Sequence, residues 1–317
     1  MSSHSLTTSH PFGITTVDAE YVRPGFAAVH LVERDGRVAI VDTGTNDSVP
    51  LVLAAIRARG HALDAVDIVF VTHVHLDHAG GAGELMRALP NARAIAHPRS
   101  VPHLRDPSRL IEASRVVYGE ARFDALYGTP VPIEPHRIGE TKDGDLLTLG
   151  ASEFRVLHTP GHALHHHVLH DIDARAVFTG DTFGLSYRAL DTDDGAFIVP
   201  TTTPTQFDPQ QLVASVRRIV ALQPEALYLT HYGRVTGAER LGAALEEQIA
   251  AFVAIAQRHA GSSDRERAIG DALRLLWIER LEAHGAPGAA VDDWLAEDVT
   301  LNTQGLIAWL QRAERGR

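Results

Sequence analysis

The chain of 317 residues contains no cysteine. Disulfides, thiolate zinc sites, iron–sulfur clusters and a cysteine nucleophile are therefore excluded. A basic stripe is also missing. The net charge is −11, and Lys and Arg cluster nowhere, which argues against nucleic acid and against an anionic membrane surface as partners. The apolar runs are all far shorter than a membrane span. The opening stretch MSSHSLTTSHPFGITTVDAE lacks a basic segment leading into an apolar one, so it does not read as a signal peptide. The expectation is a soluble, cytoplasmic protein. With 44% hydrophobic and 22% charged residues, the chain has ample material for a sizeable core.

The elements alternate. GITTVDAEY, FAAVHLVE and RVAIVDTG read as strands, the last two joined by a turn at Asp35-Gly36. SVPLVLAAIRARG reads as a helix with Ser48 or Asp47 as cap, Pro50 in the first turn and Gly60 as stop. The β-rich run DIVFVT follows, then a helix in AGGAGELMRALP and a strand in ARAIAHP. Such alternation implies a layered α/β fold. Residues 99–135 break the rhythm with short, proline-interrupted helices, the pattern of an insertion that caps a pocket. Strand patterns return at 145–149, 153–158 and 166–179. FDPQQLVASVRRIVALQP is an amphipathic helix with Asp208 as cap and Pro209 at its first position, and ALYLTHYG is a last apolar strand. After residue 235 only helical spacing remains, so a boundary is placed there. The 236–317 tail is expected to be a helical subdomain or an oligomerisation surface, with a homodimer as the assembly it allows.

The chemistry concentrates in THVHLDHAGG, residues 72–81. His73 and His75 leave a strand end at i, i+2 and so share a face, which lets both reach one metal ion. Asp77 and His78 lie past the turn and suit a second ion. Gly80-Gly81 allows a close turn and a helix start. Three further apolar runs end in a ligand-type residue: TPGH at His162, FTGD at Asp181 and LTH at His231. Five imidazoles and two carboxylates suit Zn, Fe or Mn, and a carboxylate can bridge two ions. Any one of these residues alone would read as a capping or buried polar group; the joint pattern makes them ligands.

The set H-x-H-x-D-H, then a distant His, an Asp and a final His, resembles the metallo-β-lactamase-fold hydrolase superfamily. The resemblance covers residues 12–233 and includes the VDTG element at Asp42. It implies an α/β, four-layer αβ/βα sandwich over 12–235 carrying the helical extension. It implies two divalent ions, zinc first and iron or manganese otherwise: His73, His75 and His162 at one, Asp77, His78 and His231 at the other, Asp181 between them. The implied activity is hydrolysis of an ester, lactone, thioester or related bond in a small-molecule substrate by a shared hydroxide, with Asp77 as proton acceptor. Tyr187 and Tyr232 are the candidate oxyanion donors, although Tyr187 stands farther after the bridging Asp than in the lactonase branch. The segment DVTLNTQGLIAWLQ resembles tails of one branch of the superfamily.

The neighbouring residues have two readings each. Asp42 caps a turn or stands behind a ligand His. His165, His166 and His167 read as strand residues, His166 also as a support for a ligand. Tyr118, Phe123 and Tyr127 line an acyl pocket or anchor the insertion. Met86 and Trp277 read as core. Two other functions compete with hydrolysis: an iron oxidoreductase, of persulfide dioxygenase or diiron type, and a non-catalytic binding protein. The complete ligand set favours two ions over one and disfavours the silent protein. The absence of a flavodoxin-like domain after the site weakens the diiron reductase reading. A nuclease and a secreted β-lactamase are disfavoured by the missing basic surface and signal.

Overall fold

Asp35 and Gly36 both adopt positive φ, 49° and 77°. That is the backbone of a two-residue turn whose twist matches the flanking strands, and Asp-Gly is a pair that tolerates it. Arg34 pairs with Arg37 across it, joining β3 (Ala28–Arg34) to β4 (Arg37–Val41) as the sequence implies. The structure is a computed structural model describing residues 5–202 and 206–315; the first four residues of the N-terminal stretch lie outside the described residues.

The contacts divide the chain into two compact units. The first comprises the chain up to His158, His165–Gly180 and Glu225–Arg234; the second comprises Thr159–Leu164, Asp181–Pro224 and the chain from Val235 on. This is not a single cut near 235. The segments after His158 and Gly180 group with the C-terminal helices because, as described below, those helices hold them.

The first unit is built on two sheets. One has seven strands in sequence order, β1 (Thr7–His10), β2 (Ile14–Asp18), β3, β4, β5 (Val66–Val71), β6 (Arg93–Ala96) and β7 (Ile138–Glu140). β1 to β4 are antiparallel neighbours, and β4 to β7 run parallel. Parallel neighbours need crossovers. Those are supplied by α1 (Val49–Ala58), by α2 (Leu76–Ala79) with α3 (Ala82–Ala88), and by the insertion with α4 (Val101–Arg105), α5 (Ser108–Tyr118) and α6 (Glu120–Tyr127). The other sheet contains β8 (Leu146–Leu149), β9 (Ser152–His158), β10 (His167–Asp171), β11 (Ala176–Gly180), β12 (Ala226–Leu229) and β13 (Gly233–Val235), in the order β13-β12-β11-β10-β9-β8.

One hydrophobic core fills the space between the sheets. Ala39 and Val41 on β4 and Phe70 on β5 meet Phe154 and Val156 on β9, Ala176 and Phe178 on β11, and Ala226 and Tyr228 on β12, each pair at i, i+2 spacing within its strand. This alternation selects the inward face. α1 covers the outer side, with Val49, Val52, Ala55 and Ile56 buried on one face. Ser48 precedes α1 but does not cap it. Its hydroxyl donates to Ala19 O at 2.8 Å and accepts from Thr45 N at 3.1 Å, so it fastens the loop after β4 instead.

The second unit contains α7 (Pro209–Val220), α8 (Ala238–His259), α9 (Arg265–Ala283), α10 (Ala290–Trp294) and α11 (Ala296–Arg315). Asp208 caps α7 as expected, its side chain accepting from Gln210 N and Gln211 N. Ile269, Leu273, Trp277 and Leu281 recur at i+4 along α9 and are fully buried. Among the described residues no helix is long and apolar enough to cross a membrane.

Candidate metal centre

β5 is buried along its C-terminal half, so the chain leaves the sheet at Thr72 and His73 already shut off from solvent. Thr72 is fixed before any ligand is considered. Its N–H and hydroxyl donate to the two oxygens of Asp42, at 2.8 and 2.9 Å. Asp42 stands at the end of β4 with φ 57°, and its Oδ2 also accepts from Thr230 Oγ1 at 2.8 Å and from His78 Nδ1 at 2.8 Å. One carboxylate thus ties the ends of β4, β5 and β12. Asp42 stands behind a ligand-type His rather than merely capping its own turn.

The tautomers follow. Thr72 Oγ1 spends its proton on Asp42, so at 3.1 Å it accepts from His73 Nδ1. His78 Nδ1 donates to Asp42. His231 Nδ1 lies 2.8 Å from the carbonyl oxygen of Phe26, which can only accept. A neutral imidazole whose Nδ1 donates presents a bare lone pair at Nε2. All three therefore turn Nε2 away from their supports. His231 Nε2 lies 3.1 Å and His78 Nε2 3.6 Å from Asp77 Oδ2, and His73 Nε2 lies 2.9 Å from His75 Nδ1. The rings of His73 and His78 are 4.0 Å apart. The ligand atoms of Asp77, His78 and His231 all fall within 4.8 Å of one another. Lone pairs and a carboxylate gathered this closely repel unless a proton or a cation sits among them, and the donor set is the one divalent metals take.

Gly81 has an unstrained φ of −83°. What it supplies is closeness: a Cβ there would lie 2.6 Å from Thr45 O and 2.9 Å from Val49 Cγ2. Gly180, before Asp181, needs both properties, with φ 47° and a would-be Cβ 2.7 Å from His166 Nε2. His166 is buried, its ring 4.8 Å from that of His73. His167 braces the sheets, Nε2 at 2.7 Å from Val71 O and Nδ1 at 3.0 Å from Thr141 Oγ1. Burial pushes its imidazole down to about 3, so it stays neutral. His165 is buried, with its ring 5.8 Å from that of His75.

An aromatic group adjoins these ligand candidates within the first unit. Phe26 sets its ring edge-on to His231 at 5.6 Å, Tyr21 packs on Phe26, and the hydroxyls of Tyr21 and Tyr127 lie 2.6 Å apart. Burial, then the neighbouring Tyr21 and Tyr118 and the charge of Asp77, push the Tyr127 phenol upward and keep it protonated. Phe123 and Tyr127 are buried and Tyr118 half-buried, so the insertion is anchored through two of the three aromatics. Tyr232 is half-buried beside His231.

The second unit holds the other two ligand candidates together. His162 Nε2 lies 3.4 Å from Asp181 Oδ2, both side chains being buried. His162 follows Gly161, whose missing side chain lets the chain sit against the first turn of α7; a Cβ would lie 2.2 Å from Leu212 N. His162 Nδ1 lies 3.2 Å from Thr201 O, so this imidazole too donates at Nδ1 and presents Nε2. Tyr187 is buried, its hydroxyl donating to Asp298 Oδ2 at 3.2 Å and its ring packing on Trp294. Of the groups that fix the imidazoles, the sequence pointed to Asp42 alone, as the residue behind a ligand-type His. For Thr72 a signal existed as well: it directly precedes the ligand candidate in VTH. For the Phe26 and Thr201 carbonyls there was none.

The sequence matches the model of the metallo-beta-lactamase superfamily over residues 22–231. The chain belongs to that superfamily. A metallo-beta-lactamase fold-containing protein of Sulfurisphaera tokodaii is 26% identical over 216 residues, 67% of this chain and 75% of that one. A hydroxyacylglutathione hydrolase of Xylella fastidiosa is 31% identical over 193 residues, 61% of this chain and 54% of that one. The match thus spans about half of the Xylella relative. The crystal structure of an archaeal metallo-beta-lactamase superfamily protein from Sulfolobus tokodaii superposes with a TM-score of 0.65, covering 93% of this chain and 98% of that one at 20% identity, which establishes the fold.

Proposed function

We propose that the chain is a dinuclear-metal hydrolase of a small-molecule ester, thioester or lactone. His73, His75, His162 and Asp181 would hold one ion and Asp77, His78 and His231 the other, with the Asp181 carboxylate available to both. The observation that carries this reading is the fixed tautomer of four candidate ligands. His73, His78, His162 and His231 each donate at Nδ1 to a protein acceptor and keep Nε2 for a cation. The hydrolase named for a hydroxyacylglutathione, at 31% identity, supports an acyl compound as substrate.

Two bound divalent ions would supply a nucleophilic water deprotonated near neutral pH and polarise the scissile carbonyl. The chain's own residues do the rest. Asp77, partly open to solvent, would accept the proton that this water gives up on deprotonation and pass it on to solvent. Asp42, the Thr72 hydroxyl and the carbonyls of Phe26 and Thr201 keep the imidazoles in one tautomer without reorganisation. Phe26, backed by Tyr21 and Tyr127, packs edge-on against the His231 ring and holds it in place. Metal analysis of protein purified without chelator tests the reading. Two zinc ions per chain, with turnover in an ester, thioester, lactone and phosphodiester panel, support it; iron with visible absorbance and no hydrolysis replaces it with redox chemistry.

A further inference from the structure

The LNTQG segment of the sequence has so far found no role. It lies on α11, where Asn302 is buried. Asn302 Oδ1 accepts from Thr202 N at 2.7 Å and from Thr202 Oγ1 at 2.8 Å, while its Nδ2 donates to Asp298 O at 2.8 Å within the same helix. The amide is thereby held in one orientation. Gly305, one turn further on, brings the helix flush against this strand of chain: a Cβ there would lie 1.5 Å from Thr202 O. No side chain other than hydrogen fits.

The carbonyl of Thr201 and the N–H of Thr202 belong to one planar peptide unit. Its N–H is bound by Asn302, and its carbonyl oxygen accepts from His162 Nδ1 at 3.2 Å. The plane cannot rotate at one end without moving the other. We infer that Asn302 is a positioning residue for a metal ligand: through a single peptide plane the C-terminal helix sets the ring orientation and tautomer of His162. The tail is then part of the metal centre's construction, not an appendage. This rests on the reading of His162 as a ligand.

The test compares Asn302→Ala with Gln248→Ala in the full chain. Gln248 is equally buried in the second unit and bonds Ile198 O and Trp277 Nε1, but does not touch the Thr201–Thr202 peptide. A merely structural role would make the two variants alike. Asn302→Ala is expected to bind zinc roughly ten- to a hundredfold more weakly in chelator competition, the usual effect of losing a group behind a ligand. In metal-free protein, ¹⁵N-histidine spectra should show the Nδ1–H tautomer of His162 in the wild type and a shift towards Nε2–H in the variant. Gln248→Ala should keep both at the wild-type value. Asn302→Asp, which retains an acceptor for the peptide N–H, should bind more tightly than Asn302→Ala. Equal zinc affinity in Asn302→Ala and wild type, equal losses in the Ala variants, or a wild-type His162 protonated at Nε2 would overturn the inference. A wild-type chain that takes up no zinc defeats the metal reading instead, while the tautomer comparison still decides the role of Asn302.

Discussion

Asp42 accepts from His78 Nδ1 at 2.8 Å with both side chains shut off from solvent. The same carboxylate receives Thr72 and Thr230, so it holds the ends of three strands as well as one ligand-type imidazole. Asp42→Ala leaves two hydroxyls, the Thr72 N–H and a ring nitrogen without their acceptor inside the protein. The expected outcome is a loss of about 3 kcal/mol in stability and a ten- to hundredfold (roughly) weaker zinc affinity. Denaturant titration of metal-free protein reads the first, chelator competition the second. Wild-type zinc affinity in this variant would separate Asp42 from the centre.

His73 combines the i, i+2 position beside His75 with a tautomer imposed through Thr72. His73→Ala should release one of two ions and nearly all turnover, while Thr72→Val, which removes the acceptor and keeps the ligand, should retain both ions at lower affinity. Metal stoichiometry by elemental analysis and rate measurement on the same samples give the answer. Unchanged metal content and rate in His73→Ala would defeat the assignment.

Much of this was readable in the residues, for local reasons. DIVFVT is legible because a parallel strand buried on both faces is a continuous apolar run. Asp208-Pro209 announces α7 because cap and fixed φ act within one turn. The ligand candidates are legible because metal chemistry restricts their residue types and strand ends restrict their spacing. Other features were not. β1 reads TTSH and is mostly exposed, so it has no apolar alternation to betray it. Ser48 looks like a cap, yet its hydroxyl is drawn to Ala19 O by the tertiary fold. Tyr187 looks like an oxyanion donor from its distance to Asp181, but its partner Asp298 is 111 residues away, a pairing that no local pattern encodes.

That partner makes a prediction about Tyr187. Tyr187→Phe removes the hydroxyl that donates to the buried Asp298 carboxylate and should cost about 2 kcal/mol of stability, the usual range for a hydrogen bond to a charged group. At a temperature where the variant is fully folded, kcat should stay within about threefold of the wild type, because hydrogen bonding to Asp298 is a structural use of the phenol. A drop of about a hundredfold or more in kcat, with stability intact, would return Tyr187 to the reacting atoms.

His30 makes the fold sensitive to acid. The ring lies between Thr16 Oγ1 and Leu229 O, at 3.2 and 3.1 Å, against Phe178 and Tyr228. Burial pushes it down to about 4, from an ordinary value of 6.5. Below pH 6.5 the unfolded chain therefore binds a proton that the folded chain refuses, and stability must rise with pH between about 4 and 6.5. Between pH 7 and 5 His30 alone accounts for a loss of about 2 kcal/mol, by the linkage of proton binding to folding. His167, pushed down to about 3, adds a loss of the same sign. Since His167 contributes too, the informative quantity is a difference. His30→Gln should be less stable than the wild type at pH 7, and the gap should narrow by about 2 kcal/mol at pH 5, because every other titrating group cancels between the two. Urea midpoints in chelator across this range measure it; curves that stay parallel would show that His30 does not couple to folding.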